Sequence, residues 1–490
     1  MEYLGSLGDD KTVCGGVIRQ FQAICAYPHG SWHEEPLVDY LEALCRSRGW
    51  TTIRDTYNNL RADVPATPGM ERAPLVVLQG HTDMVCAVAP GSGYRPAEDP
   101  IVTVVEDGVL RSDRRSSLGA DNNLGNAAVL YLLSRPVRHG PLRLLFTVAE
   151  EVGLQGAKRV DPAWLEEARY LINTDGFTFG QAVISSAGGR RETYTKKLHT
   201  VPRAGSHAFA IRLSGFLGGH SGYDIHKGRG NAIKLLALFL GELREQVDYD
   251  LADFRGGHAH NAIPLEAEAV ITADRAFAAP LAMAVERLRS NMARLFSHTD
   301  PDIQVSLREV PPPERVWNRG SRDSTLDLAA LLYNGVFAMH DSLPGQVSAS
   351  ANLGRLYVND RREIELDEFI RCAIDFSEEI LGFQHARAAK LTGFHVQADS
   401  YPGWLGDADN PLARAMAKVY RRQTGGKLDI TAVHVGLEPS VLGARHPGLT
   451  MISSGPDIVN PHSTDEHAPI DTLAPYVRLL AGTLEELART

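Results

Sequence analysis

The 490-residue chain predicts an α/β fold: a doubly wound domain interrupted by an inserted α+β lid domain. Three observations carry this. Short apolar runs alternate with helix-periodic segments from about residue 12 to 187. The texture then changes to alternating strands with Pro-rich interruptions such as "VPPPERV" (310–316). Near the C-terminus the opening pattern returns. The boundaries read in this way are 1–187 and 396–490 for the two segments of the doubly wound domain, and 188–395 for the insert. A chain of this length is too long for one compact core.

The elements follow in order. "GGVIRQFQAICAYP" (15–28) opens as a helix, and "HEEPLVDYLEALCRSRG" (33–49) repeats apolar residues at helical spacing until Gly49 stops it. "APLVVLQG" (73–80), "PLRLLFTVA" (141–149) and "ARYLINTD" (168–175) read as buried parallel strands, with "NNLGNAAVLYLL" (122–133) as a helix between two of them. In the insert, "HAFAIRLSG" (207–215) and "EAEAVITA" (266–273) alternate as strands, and "NAIKLLALFLGELREQV" (231–247) reads as a helix. A helix at "DNPLARAMAKVYRRQTG" (409–425) and a strand at "GLTMISSG" (448–455) complete the doubly wound domain.

Composition narrows the function classes. A net charge of −10 argues against nucleic acid or an anionic membrane as the main partner. The basic stretches "RSDRR" (111–115) and "GGRRETYTKK" (188–197) read as solvated loops. The longest apolar stretch, "AIKLLALFLG" (232–241), is too short to span a bilayer. No secretory signal opens the chain, and five scattered cysteines without a C-x-x-C pair predict reduced thiols in the cytoplasm.

The chemistry-bearing residues gather after apolar strands. "LVVLQG" runs into His81 and Asp83, which share a strand face as a metal ligand and its orienting acid would. Glu150 and Glu151 close "LRLLFTVAEEVG", Asp175 ends "YLINTD", Asp121 precedes a helix in "SLGADNN", and His462 follows a strand in "NPHSTDE". Alone, Asp121 reads as a helix cap, His81 as a buried histidine, Asp175 as a turn residue and His462 as a loop residue. Together they sit where ligands of open α/β sheets gather, outside the carboxyl ends of the strands. Charge arithmetic fits two Zn²⁺: Asp121 bridging, His81 and Asp175 on one ion, Glu151 and His462 on the other. Three carboxylates and one hydroxide then balance the two ions. Glu150 is left over as a general base, which requires the chain to turn at residues 149–151.

These blocks, with "GGHSGYDIHKGRGNAIK" (218–234), "NAIP" (261–264), "YPGW" (401–404) and "GLE" (436–438), resemble the co-catalytic zinc peptidase family that includes carnosinases. The resemblance is strongest to its aminoacyl-histidine dipeptidase (Xaa-His dipeptidase) branch. It implies a zinc-peptidase catalytic domain with the same five ligands, Glu150 as base and Asp83 behind His81. It further implies His220 as the donor to the oxyanion, a cis peptide after Asp121, and Asn261, Arg371 and Glu438 as substrate-binding candidates. The implied reaction is hydrolysis of dipeptides or short peptides, Xaa-His among them, with two zinc ions, or Mn²⁺ or Co²⁺ in their place. A small peptide is the expected partner, and a homodimer the expected assembly. An N-acyl-amino-acid amidohydrolase on the same scaffold, or a metal-binding relative without catalysis, are the alternatives. Asn123, Phe177 and "HVGLEPSVL" (434–442) depart from the family pattern without removing a ligand, and His258 and His260 read as exposed loop residues.

Overall fold

The computed structural model describes residues 7–407 and 409–489. The chain divides into two compact units. One holds the chain up to Ser186, Trp404–Ala432 and the chain from Leu437 onward; the other holds Ala187–Gly403 with Val433–Gly436. The second unit runs past residue 395, where the sequence reading ends the insert. Its last strand, His395–Tyr401, pairs antiparallel with residues 189–195, so its backbone groups are satisfied there.

The first unit is built on an eight-stranded sheet: β1 (Thr51–Arg54), β2 (Leu60–Val64), β3 (Leu75–His81), β4 (Leu142–Thr147), β5 (Ala168–Asn173), β6 (Gln181–Ser186), β7 (Asp429–Val433) and β8 (Thr450–Ser453). The spatial order is β1-β2-β4-β3-β5-β8-β6-β7. β4, β3, β5 and β8 run parallel, whereas β1, β2 and β6 pair antiparallel. The expected parallel strands therefore form the centre of a mixed sheet. All six residues of β4 are buried, which suits a strand covered on both faces. Its helices include α1 (Asp10–Cys25), α2 (Glu35–Ser47), α3 (Ala120–Leu132), α4 (Pro411–Thr424), α5 (Glu438–Arg445) and α6 (Leu473–Leu487). α1 starts where Asp9 Oδ1 accepts the Thr12 N–H at 2.8 Å. It packs closely on α3 at Gly16, where a Cβ would collide with the Tyr131 ring. Every residue of α3 is buried, so the start of this helix is held firmly at the site it serves.

The second unit centres on an antiparallel sheet of nine strands. Residues 188–197, read from sequence as a basic loop, form its ten-residue strand Gly188–Lys197 between Glu363–Cys372 and His395–Tyr401. The alternation explains the misreading: Glu192 and Tyr194 point into the core, while the exposed Arg191 and Lys197 give the stretch its basic look. Helices Ala232–Leu243, Ala278–Leu295, Arg319–Leu331 and Asp375–Thr392 share one core with the sheet, through Leu236, Leu281, Leu326 and Ala388 against Ile211, Phe254 and Leu366. No described helix is long and apolar enough to cross a membrane.

Candidate metal centre

β3 ends on His81 itself, β5 stops two residues before Asp175, and β4 stops three residues before Glu150. Asp121 lies at the start of α3 with non-helical backbone (φ −75°, ψ 107°), and the Asp121–Asn122 peptide is cis. His462 comes from the loop after β8. The structure brings all of them together. His81 Nε2 lies 3.1 Å from Asp121 Oδ1 and 3.7 Å from Asp175 Oδ1. His462 Nε2 lies 3.0 Å from Asp121 Oδ2 and 2.9 Å from Glu151 Oε1. Asp121 thus turns one oxygen to each histidine.

Adjacent acids at a strand end diverge unless the chain turns, and here it does. β4 stops at Thr147, and Ala149 adopts a left-handed backbone (φ 50°). The Ala149 N–H donates to Glu34 Oε1 at 2.8 Å, and the Gly153 and Leu154 N–H groups donate to the Glu150 carbonyl. Asp83 Oδ1 accepts the Glu150 N–H at 2.9 Å; its Oδ2 accepts the Glu151 N–H at 3.2 Å and the Ser31 hydroxyl at 2.7 Å. The Asp83 carboxylate, expected to orient His81, lies 3.5 Å from Nδ1. The ring contact is made by the Asp83 backbone carbonyl, 3.0 Å from Nδ1.

Charge at the site is far from balanced. Burial lifts the Glu150 carboxyl well above the ordinary range, with Glu151 and Asp175 adding repulsion. Burial and the Asp121 charge push Asp175 up to about 8. Burial also opposes ionisation of Asp121, but hydrogen bonds to His462 and His81 outweigh it and hold this acid below its usual range. Burial opposes charge on the histidines as well. Asp175, Asp121 and Asp83 nevertheless raise His81 well above its ordinary value, and Asp121 and Glu151 push His462 up to about 10. Among the described residues no lysine or arginine forms an ion pair with Asp121, Glu150, Glu151 or Asp175. Asp175 Oδ1 is buried without a hydrogen-bond partner. Imidazole nitrogens and carboxylate oxygens converging on each other, with one acid oxygen orphaned, form a donor set suited to divalent cations.

His220, Asn261 and Arg371 meet within the second unit. The short strand Gly219–His220 pairs with Ala262–Ile263, and the Ser221 N–H donates to the Asn261 carbonyl at 2.8 Å. Arg371 is buried over the Phe369 ring at 4.5 Å, donates to Ser221 Oγ at 3.2 Å, and places Nη2 3.4 Å from His220 Nε2. Among the described residues it has no ion-pair partner. The N–H groups of Gly222 and Tyr223 point at His220 Nδ1, which assigns the ring proton to Nε2. His258 is exposed, whereas His260 is half-buried against Phe369.

Glu438, expected at the substrate, is fully buried at the start of α5. Its Oε2 accepts from Gln79 Nε2 and Thr147 Oγ1 on β3 and β4, and burial pushes its carboxyl up to about 7. It has no surface for a substrate ammonium. Sequence reasoning also missed the acids that bind backbone amides around the site, Glu34 and Glu466, although Glu466 closes the block "NPHSTDE" that the resemblance marks.

Two family models match the chain: a peptidase dimerisation domain over residues 211–303 and peptidase family M28 over residues 59–214. The second span contains His81, Asp121, Glu150, Glu151 and Asp175. The cytosol non-specific dipeptidase of Escherichia coli is 35% identical over 473 residues, 95% of this chain and 96% of that protein. The chain belongs to the M20 family of metallopeptidases. Among solved structures, the aminoacylhistidine dipeptidase of Vibrio alginolyticus superposes on this peptidase with a TM-score of 0.87 at 31% identity, covering 96% of each chain. Aminopeptidase PepT of Bacillus cereus, at 16% identity and a TM-score of 0.56 over 97% of this chain and 99% of its own, shares the fold.

Proposed function

We propose that this peptidase hydrolyses dipeptides and very short peptides with a free N-terminus at two zinc ions, with Mn²⁺ or Co²⁺ able to replace them. The observation that carries the reading is the split of Asp121, one oxygen toward His81 and the other toward His462. His81 and Asp175 would hold one ion, Glu151 and His462 the other, and Asp121 both. Such a pair, when bound, polarises a carbonyl and makes a water acidic near neutral pH.

The remaining steps belong to side chains. Glu150 is left out of the ligand set and holds a proton readily, so it takes one from the attacking water and returns it to the departing amine nitrogen. The His220 Nε2–H donates to the scissile carbonyl oxygen as negative charge grows there. Arg371, a buried guanidinium without an acid of its own, receives the C-terminal carboxylate of the substrate, beside Asn261. The relatives are named a non-specific dipeptidase and an aminoacylhistidine dipeptidase, which supports a broad dipeptide specificity with Xaa-His included. The match to a dimerisation domain supports a homodimer, and five free thiols together with a cytosolic relative support a cytoplasmic enzyme.

The test is a panel of dipeptides and N-acetyl amino acids assayed with zinc, manganese and cobalt. Turnover of dipeptides is expected. Turnover confined to N-acetyl amino acids would replace this reading with an amidohydrolase.

A further inference from the structure

Glu466 lies four residues beyond His462 and is 2% exposed. Its carboxylate binds three backbone amides on the segment that leads into α3. Oε2 accepts from the Leu118 N–H at 2.8 Å and the Gly119 N–H at 2.9 Å, and Oε1 accepts from the N–H of Asp121 itself at 3.2 Å. Such amides are the unsatisfied donors of a helix start, and a carboxylate held among them satisfies several at once.

The loop that carries Glu466 is closed. Val459 and His467 exchange backbone hydrogen bonds at 2.8 and 3.0 Å, and the Glu466 N–H donates to the Ser463 carbonyl at 3.1 Å. The strand that follows, His467–Pro469, pairs with residues 109–111. His462 stands within this loop with left-handed backbone (φ 61°), and Glu466 stands at its base. One small ring of chain therefore offers an imidazole to Asp121 Oδ2 and at the same time grips the Asp121 backbone.

We infer that Glu466 is a positioning residue that sets the separation of His462 from Asp121 and thereby the affinity of the centre for both metal ions. The inference rests on the metal assignment proposed above. Glu466 does not reach the metals; it acts through the backbone of one ligand and the loop of another. Gln at this position keeps the shape but has one acceptor oxygen, and its amide N–H groups would face backbone N–H groups. Outer partners of metal ligands typically change metal affinity by about 10- to 100-fold, and a loss of that size is expected for Glu466→Gln.

The experiment is competition for Zn²⁺ between full-length protein and a chromophoric chelator, with the melting temperature of the zinc-free protein measured alongside. The E466Q protein should fill both sites at saturating zinc with affinity weakened about 10-fold or more, and its zinc-free melting temperature should fall as well, because buried amides lose a charged acceptor. In a His462→Ala background the effect of E466Q should shrink, because no imidazole remains to be positioned. Where E466Q folds poorly, Glu466→Asp keeps the charge and shortens the arm, and a smaller loss of affinity is expected. A zinc affinity equal to wild type in the folded variant, or an E466Q effect undiminished without His462, would overturn the inference and leave the metal assignment standing. Failure of the wild-type protein to bind zinc would instead remove the assignment itself.

Discussion

Asp83 Oδ1 accepts the backbone N–H of Glu150 at 2.9 Å, so the acid two residues beyond His81 holds the turn that presents the proposed general base. Asp83→Ala leaves that amide, the Glu151 amide and the Ser31 hydroxyl without their charged acceptor. The expected loss is on the order of 3 kcal/mol in the stability of the zinc-free protein, read by urea denaturation, with a fall in kcat. Unchanged stability would show that Glu34 and the turn's own hydrogen bonds suffice.

Glu150→Gln separates base from ligand. Both metals should remain by elemental analysis while kcat drops by roughly 100-fold or more. Asp121→Ala should instead empty both sites, since its two oxygens face the two histidines. Loss of one metal from Glu150→Gln with activity retained would exchange the roles of Glu150 and Glu151.

His220→Ala removes the proposed donor to the carbonyl oxygen. A fall in kcat of about 10²–10³ with full zinc content is expected, and KM should move less, because charge appears on that oxygen only in the transition state. A near-normal kcat would leave His220 as a turn residue whose Nδ1 accepts the Gly222 and Tyr223 amides.

His434 supplies a pH dependence away from the metal ligands. It is buried with Nε2 2.7 Å from Ser350 Oγ, and burial, reinforced by the Arg371 charge, lowers it to about 3. An unfolded histidine titrates near 6.5, so between about 3 and 6.5 the unfolded chain binds a proton that the folded chain refuses. Stability from this group is complete above about pH 6.5 and declines as pH falls toward 3, by about 1.4 kcal/mol per unit. Urea midpoints at several pH values should show this slope, and His434→Gln should flatten it. An identical slope in the variant would assign the acid sensitivity elsewhere.

Much of the centre was legible because its residues end apolar strands, and strand hydrophobicity is a local property of the chain. His81, Asp175 and the Glu150–Glu151 pair each follow such a run, and the requirement for a turn at 149–151 could be stated from the divergence of neighbouring strand side chains. The basic stretch at 188–197 shows the limit of local reading. Its alternation becomes a strand only when Glu363–Cys372 and His395–Tyr401 arrive on either side.

What the amino-acid order offered alone was a set of candidate ligands, of which His81, Glu151 and Asp175 follow apolar strands while Asp121 opens a helix and His462 lies in a loop. Tertiary structure alone decided which oxygen of Asp121 meets which histidine, that Glu438 is sealed under β3 and β4, and that Asp83, Glu34 and Glu466 spend their carboxylates on backbone amides. The physical reason is the same in each case. An amide N–H carries no side-chain signature, and Glu466 meets the Asp121 amide across 345 positions of chain. Only the folded path of the backbone says which buried donor an acid will find.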